Sequence, residues 1–584
     1  MGKKFLRQFF KENKWTYIIG IILMLVSTRI RLLYPEFVGD ATDYLASGGS
    51  EWSGLSYYIY MLILVAVVGF IGAYIWRYLI VGNARKLQRD LSALVFSNFQ
   101  ELSQSFYNQR KTGDLIAYNI NDVNAVRMAF GPALIMSING FAMMVIAVMG
   151  MVNRVGGLTS LKILAPIPFI VFLMIKLGRT IRSRFRKVQE AFGSISDRVN
   201  ENINGIRVIK AYVQENEEVE RFMDLSENSA FRNVSMVRVS GMLNPIVQSG
   251  FAVSFGLFFV ICGPMVVNGE MTIGDFTAVA NYLNMMLRPV MFIGRIINVL
   301  QRGMASMSRL DDVLNHPHEI TDGTGKAKEM NSGSLDIVDL DFAYPGTEAI
   351  VLKDIHISLP TGKSLGILGE TGSGKTTLVN LLMKVYNVPD ETILIDGQDI
   401  NDYTLDVLLE NVSYVPQDNF LFNDTIDENI RFFKDNYSKE EVIQAAKDAH
   451  IHESIAALPK GYETELGDRG VNLSGGQKQR ISIARALIRD PKILILDDAL
   501  SAVDTVTEAK ILKRFKEVRT DKSTIIVAHR ISAVINCDEI VVLDGQSIKE
   551  RGTHEELLER RGLYFDIYNS QYKDRLGEDE ELNA

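Results

Sequence analysis

Cysteine is scarce in this sequence of 584 residues, which contains only Cys262 and Cys537. These two residues lie far apart and have no metal-ligand spacing, so neither a disulfide framework nor a cysteine-based metal site is expected. The net charge of −8 gives no basic signature for nucleic acid, and no nucleic-acid partner is expected. The cysteine content is compatible with a reducing compartment for any soluble part.

No small-residue cleavage site follows the first apolar run, which starts at Trp15 and continues past Arg29 and Arg31. An uncleaved signal-anchor therefore explains this run better than a removed secretory signal does. The chain is also too long for a single core. Apolar residues crowd into the first 300 positions, whereas the remainder is charged and rich in glycine. This contrast indicates a membrane half followed by a soluble half.

Six apolar segments are long enough to cross about 30 Å of hydrocarbon. We place them at Trp15–Phe37, Tyr57–Val81, Phe130–Met151, Leu161–Leu177, Met242–Val267 and Phe276–Leu300. The loops Asp40–Leu55 and Asn268–Asp275 contain no Lys or Arg, unlike the segments on the other side. The positive-inside rule therefore predicts a multi-pass protein of the cell membrane with both termini cytoplasmic. Arg154, in the short third-to-fourth loop, is the exception.

Charged side chains within these spans are candidates for function, because burying charge in lipid is costly. Arg29, Arg31 and Arg288 lie in such positions. The alternative is snorkelling, or pairing with Glu36 or with a partner helix. Flexible and aromatic side chains form a second candidate group, which could line an adaptable apolar pocket, although ordinary helix packing is the preferred explanation for most of them. This group comprises Met143, Met144, Tyr282, Met285, Met286 and Phe292.

A glycine-rich loop in the soluble half points to nucleotide binding. Residues 369–376, GETGSGKT, match GxxxxGK[ST] and stand between an apolar strand, Ser364–Leu368, and an apolar-periodic helix, Leu378–Val385. In this context the loop amides and Lys375 hold phosphates, while the Thr376 hydroxyl faces a metal ion. The context makes the motif far more specific than the bare pattern.

A second stretch, Leu473–Asp504, completes the nucleotide prediction. It opens with Ser474, Gly475 and Gly476 before a helical run, and such a turn leaves free backbone N–H groups that bind phosphate. It then continues into a short apolar strand at 493–496 that is followed by Asp497 and Asp498. A buried parallel strand presents such a carboxylate at its C-terminal end, where Mg²⁺ is expected.

These stretches together resemble the ATP-binding cassette (ABC) family, with Walker A at 369–376, the LSGGQ signature at 473–477 and Walker B at 493–497. With its membrane half the chain is similar to bacterial ABC exporter half-transporters, most closely to the heterodimeric multidrug type. The resemblance implies an N-terminal all-α membrane domain of six transmembrane helices, as in type I ABC exporters, followed by an α/β P-loop cassette domain. Expected limits are 1–320 for the membrane domain, 321–334 for a polar linker, 335–572 for the cassette and 573–584 for an acidic tail.

The resemblance also implies roles for individual residues in binding ATP and Mg²⁺. Asp498, His529 and Gln417 match catalytic positions, and Thr376, Gln417 and Asp497 match positions around the metal ion. The residues expected to contact ATP are Tyr344, which stacks on adenine, with Gly369, Glu370, Thr371, Gly372, Ser373, Gly374, Lys375, Thr376, Thr377, Ser474, Gly475, Gly476, Gln477 and the D-loop residue Asp504.

Two breaks in the long cytoplasmic connections resemble the coupling helices of ABC exporters. They lie at Lys111–Leu115 and Asn204–Tyr212. In this family each nucleotide is held between Walker A of one cassette and LSGGQ of another, so a chain with one cassette is expected to act as a dimer.

The sequence departs from the family pattern immediately after Walker B, where Asp498 replaces the usual glutamate. Aspartate is one methylene shorter, and a displacement of about 1 Å costs on the order of a hundredfold in rate. Asp498 is therefore expected to be a poor base. Heterodimeric exporters combine such a substitution with an intact signature, so the hypothesis is a second, non-identical half-transporter as partner.

The predicted function is half of an ATP-driven exporter for multidrug efflux across the cell membrane. The expected partners are membrane lipids and small hydrophobic or amphipathic substrates. Multidrug export is preferred because no peptidase or extra ligand domain precedes the first span. A lipid flippase and a peptide or metabolite exporter are the alternatives. A different class of hypothesis is a mainly regulatory subunit that binds ATP without turnover.

Overall fold

A computed structural model describes residues 2–49, 51–467, 470 and 472–571 of the chain. The acidic tail expected at 573–584 and the cassette limit at 572 lie outside the described residues. The chain divides into two compact units. The membrane unit is Met1–Glu101 with Arg110–His316, and the cassette unit is Leu102–Gln109 with Pro317–Ala584.

The first 316 residues are almost entirely helical. Their helices are α1 Gly2–Glu12, α2 Lys14–Arg31, α3 Tyr34–Ala46, α4 Trp52–Glu101, α5 Gln104–Asn108, α6 Thr112–Ala117, α7 Val123–Met128, α8 Leu134–Val155, α9 Gly157–Leu164, α10 Pro166–Asn204, α11 Ile206–Ala211, α12 Glu215–Ser240, α13 Leu243–Val267 and α14 Ile273–Leu314. Two π-helical turns, Tyr118–Asp122 and Ala129–Ala133, flank α7.

Six helical segments in the described chain are long and apolar enough to cross a membrane. They are Lys14–Ala46, Trp52–Glu101, Thr112–Val155, Gly157–Asn204, Glu215–Val267 and Ile273–Leu314. Each contains one of the six predicted spans, so the predicted all-α membrane domain of six helices is confirmed. Several helices extend well beyond the hydrocarbon thickness, because their charged ends continue the same helical run.

Arg29 and Arg31, two of the arginines predicted to lie within spans, have hydrogen-bond partners in the membrane unit. Arg29 pairs with Glu36 at 3.4 Å, and Arg31 donates to the backbone oxygen of Gly69 at 3.3 Å. These contacts favour the pairing alternative for both arginines. Tyr282 and Met286 are buried in the helix core, and Met143, Met144 and Met285 pack against it, as ordinary helix packing requires. Phe292 is 40% exposed.

The cassette unit contains two sheets and the remaining helices. Its strands are β1 Leu335–Ala343, β2 Ile350–Leu359, β3 Ser364–Gly369, β4 Ile393–Ile395, β5 Gln398–Asp399, β6 Val412–Val415, β7 Ile493–Asp497, β8 Ser523–Ala528, β9 Glu539–Asp544 and β10 Ser547–Gly552. Its helices are α15 Lys375–Leu382, α16 Leu405–Asn411, α17 Ile426–Arg431, α18 Lys439–Asp448, α19 His452–Ala456, α20 Gly475–Leu487, α21 Thr505–Val518, α22 Ile531–Val534 and α23 His554–Arg560.

The larger sheet has the strand order β10-β9-β3-β8-β7-β6. The strands from β9 to β6 are parallel, and β10 pairs antiparallel with β9 at the edge. Strands β7 and β8 are buried along their whole length, as expected for parallel strands covered on both faces. The smaller antiparallel sheet has the order β2-β1-β4-β5. The predicted α/β P-loop fold is confirmed.

The short helix α5 belongs to the cassette unit, although it precedes most of the membrane helices in sequence. Ser103 donates to the Glu319 carboxylate at 2.8 Å, Ser105 also donates to it, and Phe106 is only 1% exposed. The predicted coupling segments form α6 and α11, which belong to the membrane unit. The role of α6 and α11 as coupling helices stays a prediction.

Candidate nucleotide site

Strand register brings the predicted nucleotide-site residues together at the edge of the six-stranded sheet that is formed by the carboxyl ends of its parallel strands. Ile367 in β3 and Asp497 in β7 both pair with Val527 of β8. The residues that follow these three strands therefore emerge side by side, including the glycine loop, Asp498 and His529. Open parallel sheets bind their ligands outside the carboxyl ends of the strands, so this edge is the candidate site.

The loop between β3 and α15 has a backbone that glycine makes possible. Gly372 and Gly374 have φ angles of +88° and +98°, which strain any residue with a side chain. A Cβ atom on Gly369 would lie 2.3 Å from the backbone oxygen of Leu543. The loop leads directly into α15, whose first N–H groups have no partner within the helix. Glu370, Thr371 and Gly372 are the exposed residues of the loop.

Lys375 is held inside this loop. Its Nζ donates to the backbone oxygens of Gly369 at 2.7 Å and Glu370 at 2.8 Å, and the side chain is almost completely buried. Burial lowers the pKa of Lys375, although the nearby carboxylates of Asp497, Asp498 and Glu370 act in the opposite direction. The Ser373 hydroxyl is buried without a partner among the described residues. A phosphate fits this loop, because its oxygens would satisfy the orphaned hydroxyl and the ammonium together.

Asp497 is buried at the end of β7 and is surrounded by hydroxyl groups. Tyr414 donates to its carboxylate at 3.2 Å, and the Thr376 side chain also hydrogen-bonds to it. Burial raises the pKa of Asp497 despite these hydrogen bonds. The oxygens of Asp497, Thr376 and Gln417 form the hard donor set that Mg²⁺ prefers, so the residues present fit this ion.

Asp498 has an unusual backbone conformation, with a φ of +47°. Its N–H donates to the backbone oxygen of Val527 at 2.8 Å, which anchors the residue to β8. Its carboxylate lies 3.5 Å from Nε2 of Gln417, at the limit of a hydrogen bond. The structure thus brings together two of the three predicted catalytic residues. The third, His529, follows β8 at the same edge, and its backbone oxygen accepts from Gln571 at 2.8 Å.

Tyr344 lies next to the first turn of α15. Its hydroxyl shares a 2.7 Å hydrogen bond with the hydroxyl of Thr377, which is buried. Its ring makes edge contacts with Phe342 and Tyr386, at centroid distances of 5.4 and 5.2 Å. This aromatic cluster holds the ring beside the phosphate loop, whereas its stacking on adenine stays a prediction.

The signature residues form the start of α20. Ser474 and Gln477 make a reciprocal capping box, in which the Gln477 N–H donates to the Ser474 hydroxyl and the Ser474 N–H donates to the Gln477 side chain. A Cβ atom on Gly476 would lie 2.8 Å from the backbone oxygen of Ala502, whereas one on Gly475 would make an ordinary contact with the Ala502 side chain. Gly476 therefore lets the helix start pack closely against the D-loop, residues 501–504.

Gln479 connects the signature helix to the D-loop, a role that sequence analysis missed. Its amide donates to the Ser501 hydroxyl at 3.2 Å and accepts from the Ala502 N–H at 2.9 Å. Asp504 ends this loop as the N-cap of α21, and the hydrogen bond from the Thr507 N–H lowers the pKa of the Asp504 carboxyl. Tyr414 was also missed. Its position three residues before Gln417 was visible, but its contact with Asp497 depends on β6 pairing with β7.

Within the described chain, no hydrogen bond joins residues 474–477 to residues 369–377. The predicted ATP contacts therefore form two groups that these hydrogen bonds do not connect, one at the glycine loop and one at the start of α20.

A glycine phosphate loop, a buried carboxylate suited to Mg²⁺ and six apolar span helices define the class of protein as a membrane-embedded ATPase. Residues 17–290 match the ABC transporter transmembrane region, and residues 352–501 match the ABC transporter family. The chain belongs to the ABC transporter family. It is an ABC exporter with fused transmembrane and ATP-binding domains, and its cassette is that of an ATP-driven transport ATPase.

The chain is similar to several known proteins over nearly its whole length. It is 37% identical over 563 residues to the probable multidrug resistance ABC transporter ATP-binding/permease protein YheI of Bacillus subtilis, covering 96% of both chains. It is 31% identical over 570 residues to an ATP-dependent lipid A-core flippase of Haemophilus influenzae, covering 96% of this chain and 97% of the relative. A solved bacterial Atm1-family ABC exporter with ATP bound matches 95% of this chain and 99% of its own, with a TM-score of 0.79 and 28% identity.

Proposed function

We propose that this chain is one half of a dimeric multidrug exporter in the cell membrane, with both termini cytoplasmic, which binds ATP–Mg²⁺ and extrudes hydrophobic or amphipathic compounds. The observation that carries the proposal is the glycine loop with its buried lysine and its serine hydroxyl without a partner, on a chain that is similar to ABC transporters over nearly its whole length. We take 1–320, 321–334 and 335–572 as the membrane domain, linker and cassette, and 573–584 as the tail.

The residues at the carboxyl ends of the strands bind different parts of the nucleotide and its metal ion in this proposal. The loop 369–374 and Lys375 hold the phosphates, Tyr344 stacks on adenine, and Asp497 and Thr376 with Gln417 hold the metal. Bound Mg²⁺ supplies charge neutralisation on the phosphate oxygens. Gln417 and His529 position groups around the terminal phosphate, and the 3.5 Å contact between Gln417 and Asp498 supports a shared task for that pair.

Asp498 makes the chain's own site a weak hydrolase in this proposal. Its carboxylate is one methylene shorter than the usual glutamate, and its fixed backbone limits how far it can advance. Val527 anchors the Asp498 N–H at 2.8 Å, and φ is already +47°. A shortfall of about 1 Å in a catalytic group costs on the order of a hundredfold.

The intact signature of this chain serves the nucleotide site of a second cassette in this proposal. Ser474, Gly475, Gly476, Gln477 and Asp504 make no hydrogen bond to the phosphate loop of their own chain among the described residues, which supports donation to a second cassette. We infer that the partner is a non-identical half-transporter that carries the glutamate missing here. ATP binding then closes the cassettes, and hydrolysis at the partner's site resets them.

Relatives named for two kinds of cargo keep a second candidate function open. The relative from Bacillus subtilis is named for multidrug resistance, and the one from Haemophilus influenzae is named as a lipid A-core flippase. Lipid flipping is therefore the second candidate. Multidrug export is preferred because the relative with the higher identity carries that name.

The assembly and the weak site are tested together by ATPase measurements. The tagged chain is purified from cells that express it at natural levels, co-purifying chains are identified by mass spectrometry, and ATPase is measured for the chain alone and for the complex. We expect a non-identical half-transporter, slow hydrolysis by the chain alone, and a rate at least tenfold higher in the complex, stimulated by hydrophobic compounds.

Two variants of the same residue sharpen this test. Asp498→Glu restores the reach of the carboxylate and is expected to raise hydrolysis by the chain alone by about tenfold or more. Asp498→Asn, which removes the charge without changing size, is expected to leave transport by the complex nearly unchanged. Brisk hydrolysis by homodimers that Asp498→Asn abolishes would contradict the asymmetric assembly, and loss of transport in the Asn complex would show that this site turns over.

A further inference from the structure

A cavity in the cassette lies at the opposite end of the parallel strands from the nucleotide site. It is lined by Ser364 at the start of β3 and by Thr524 near the start of β8, two residues that pair with each other. The glycine loop and His529 follow the other ends of these strands. Each strand has six residues, and five rises of about 3.3 Å separate its two ends by roughly 17 Å.

The cavity has a volume of about 240 Å³, just below the roughly 300 Å³ at which ligand pockets begin, so it suits a small ligand. One wall is apolar and consists of Leu512 and Phe515 of α21, Ile526 of β8 and Ala533 of α22. These side chains are largely buried and also belong to the hydrophobic core of the cassette. A small hydrocarbon or aromatic group would complete this wall.

The rest of the lining is strongly basic, in contrast to the net charge of −8 of the whole chain. It contains four cations, Lys363, Lys516, Arg519 and Lys522, but a single carboxylate, Asp538. A cavity with cations and an apolar wall favours a ligand that carries both a negative charge and an apolar body.

Three of these cations already have partners. Lys363 pairs with Asp538 at 3.0 Å, Lys522 pairs with Asp490, and Arg519 donates to two backbone oxygens and to the Thr524 hydroxyl. Within the described part of the chain, Lys516 is the cation of the lining with no hydrogen-bond or ion-pair partner. It is also close enough to Cys537, inside the cavity, to affect that thiol electrostatically.

We propose that this cavity is a second ligand site, which binds a small amphipathic carboxylate with its charged group at Lys516 and its apolar body against Phe515. The site is separate from the nucleotide site and does not depend on the proposed transport function. Lys516 also lies in the last turn of α21, where a cation stabilises the helix dipole without any ligand, so the test must separate binding from stability.

The test uses 4-fluorobenzoate as probe and the full-length protein in lipid nanodiscs, with ¹⁹F NMR line broadening as the readout and empty nanodiscs as the blank. We expect saturable binding of one probe per chain that MgADP does not displace. Neutral 4-fluorobenzyl alcohol, which has the same ring but no charge, is expected to bind at least fivefold more weakly.

Two charge-reversal variants on the same helix complete the design. Lys516→Glu is expected to weaken 4-fluorobenzoate binding by about fivefold or more, because attraction becomes repulsion at a partly solvated site. Lys510→Glu makes the same charge change at an exposed position of α21 outside the cavity, and is expected to change binding by less than twofold. Thermal unfolding of both variants reports the helix-dipole effect separately.

Four results would overturn the proposal. These are the absence of saturable binding to the wild-type chain, displacement of the probe by MgADP, equal binding of the neutral alcohol, and equal weakening by Lys510→Glu and Lys516→Glu. The second would assign the probe to the nucleotide site, and the last two would reduce binding to general hydrophobic or electrostatic attraction.

Discussion

Asp498 is unusual in two ways. Its backbone is left-handed, and its side chain replaces the glutamate that is usual at this position. A left-handed backbone is uncommon for aspartate, although Asp tolerates it better than most residues because its short polar side chain can form local hydrogen bonds. The conformation is held by the bond to Val527 and turns the chain from β7 into the D-loop. Backbone strain of this kind concentrates at functional sites.

Asp396 is a second residue with a structural role, and the polar composition of the predicted linker gave no sign of it. Residues 331–334 belong to the predicted linker, yet four of their backbone N–H groups and two serine hydroxyls donate to the Asp396 carboxylate. Burial alone would raise the pKa of Asp396, but the hydrogen bonds from Ser332, Ser334 and Asn331 outweigh it and lower the pKa. The carboxylate therefore fixes the end of the linker to the first strands of the cassette.

This arrangement predicts a pH-dependent effect of Asp396→Asn. Because the folded pKa is depressed, the ionised carboxylate stabilises the fold fully above its ordinary pKa of about 3.9 and loses that effect as pH falls through the folded value. We expect Asp396→Asn to lower stability by about 1–2 kcal/mol near neutral pH, a modest amount because the group is partly solvated.

The measurement is thermal unfolding of the full-length protein between pH 8 and pH 3. The difference between wild type and Asp396→Asn should be constant down to about pH 5 and should narrow below about pH 4. Asp435→Asn, at an exposed aspartate outside this network, is the matched control and should show little difference throughout. A difference for Asp396→Asn that persists at the lowest pH would exclude the ionised carboxylate as its cause.

Among the elements, α20 is notable because its stability and its proposed function rely on the same residue. Ser474 caps the helix through a box with Gln477 and also belongs to the signature. Helix α18 has an equivalent box, made by Ser438 and Glu441, but lies outside the motifs. The two boxes therefore allow the capping effect to be separated from contact with ATP.

We expect Ser474→Ala and Ser438→Ala to destabilise the protein by a similar amount, about 1 kcal/mol each, because both remove an N-cap acceptor. Only Ser474→Ala is expected to lower ATPase activity of the assembled transporter, by tenfold or more. Thermal unfolding and ATPase assays on both variants make the comparison. Equal loss of ATPase in the two variants would reduce the role of Ser474 to helix capping.

In the membrane unit, two ion pairs explain why Arg154 departs from the positive-inside pattern. It is the one basic residue in the third-to-fourth connection, and it bonds to Asp275 at 2.7 Å and Asp40 at 3.0 Å. These partners belong to α14 and α3, so one guanidinium joins three helices. Gly39 and Gly274 let α3 and α14 approach nearby, since a Cβ atom on Gly39 would lie 2.6 Å from the Gly274 oxygen.

Arg154→Ala is expected to destabilise the membrane unit, because it leaves two carboxylates without their cation. Since the side chains are partly exposed, we expect a loss of about 1–3 kcal/mol. Thermal unfolding in detergent measures it, with Lys162→Ala as control at an exposed basic residue of α9. If Asp40→Asn and Asp275→Asn each restore part of the stability of Arg154→Ala, the loss comes from unpaired charge. A loss no larger than that of Lys162→Ala would contradict the predicted role.

The architecture was predictable because its signals are local. A long run of apolar residues predicts a membrane span from neighbouring residues alone. A glycine loop between a strand and a helix likewise predicts the local backbone geometry of a phosphate-binding loop. The six spans and the α/β cassette followed from such signals. The individual partners of polar residues did not, since Arg154 with Asp275, Asp396 with residues 331–334, and Ser103 with Glu319 are far apart in sequence.

The sequence by itself determined the class of fold, the family and the chemical inventory of the nucleotide site, because periodicity and short motifs are encoded by neighbouring residues. Only the tertiary structure decided that Tyr414 supports Asp497, that Gln479 joins the signature helix to the D-loop, and that α5 packs with the cassette. These contacts depend on strand order and on packing across long separations. No local pattern specifies them, because they form only when distant segments are brought together in the folded chain.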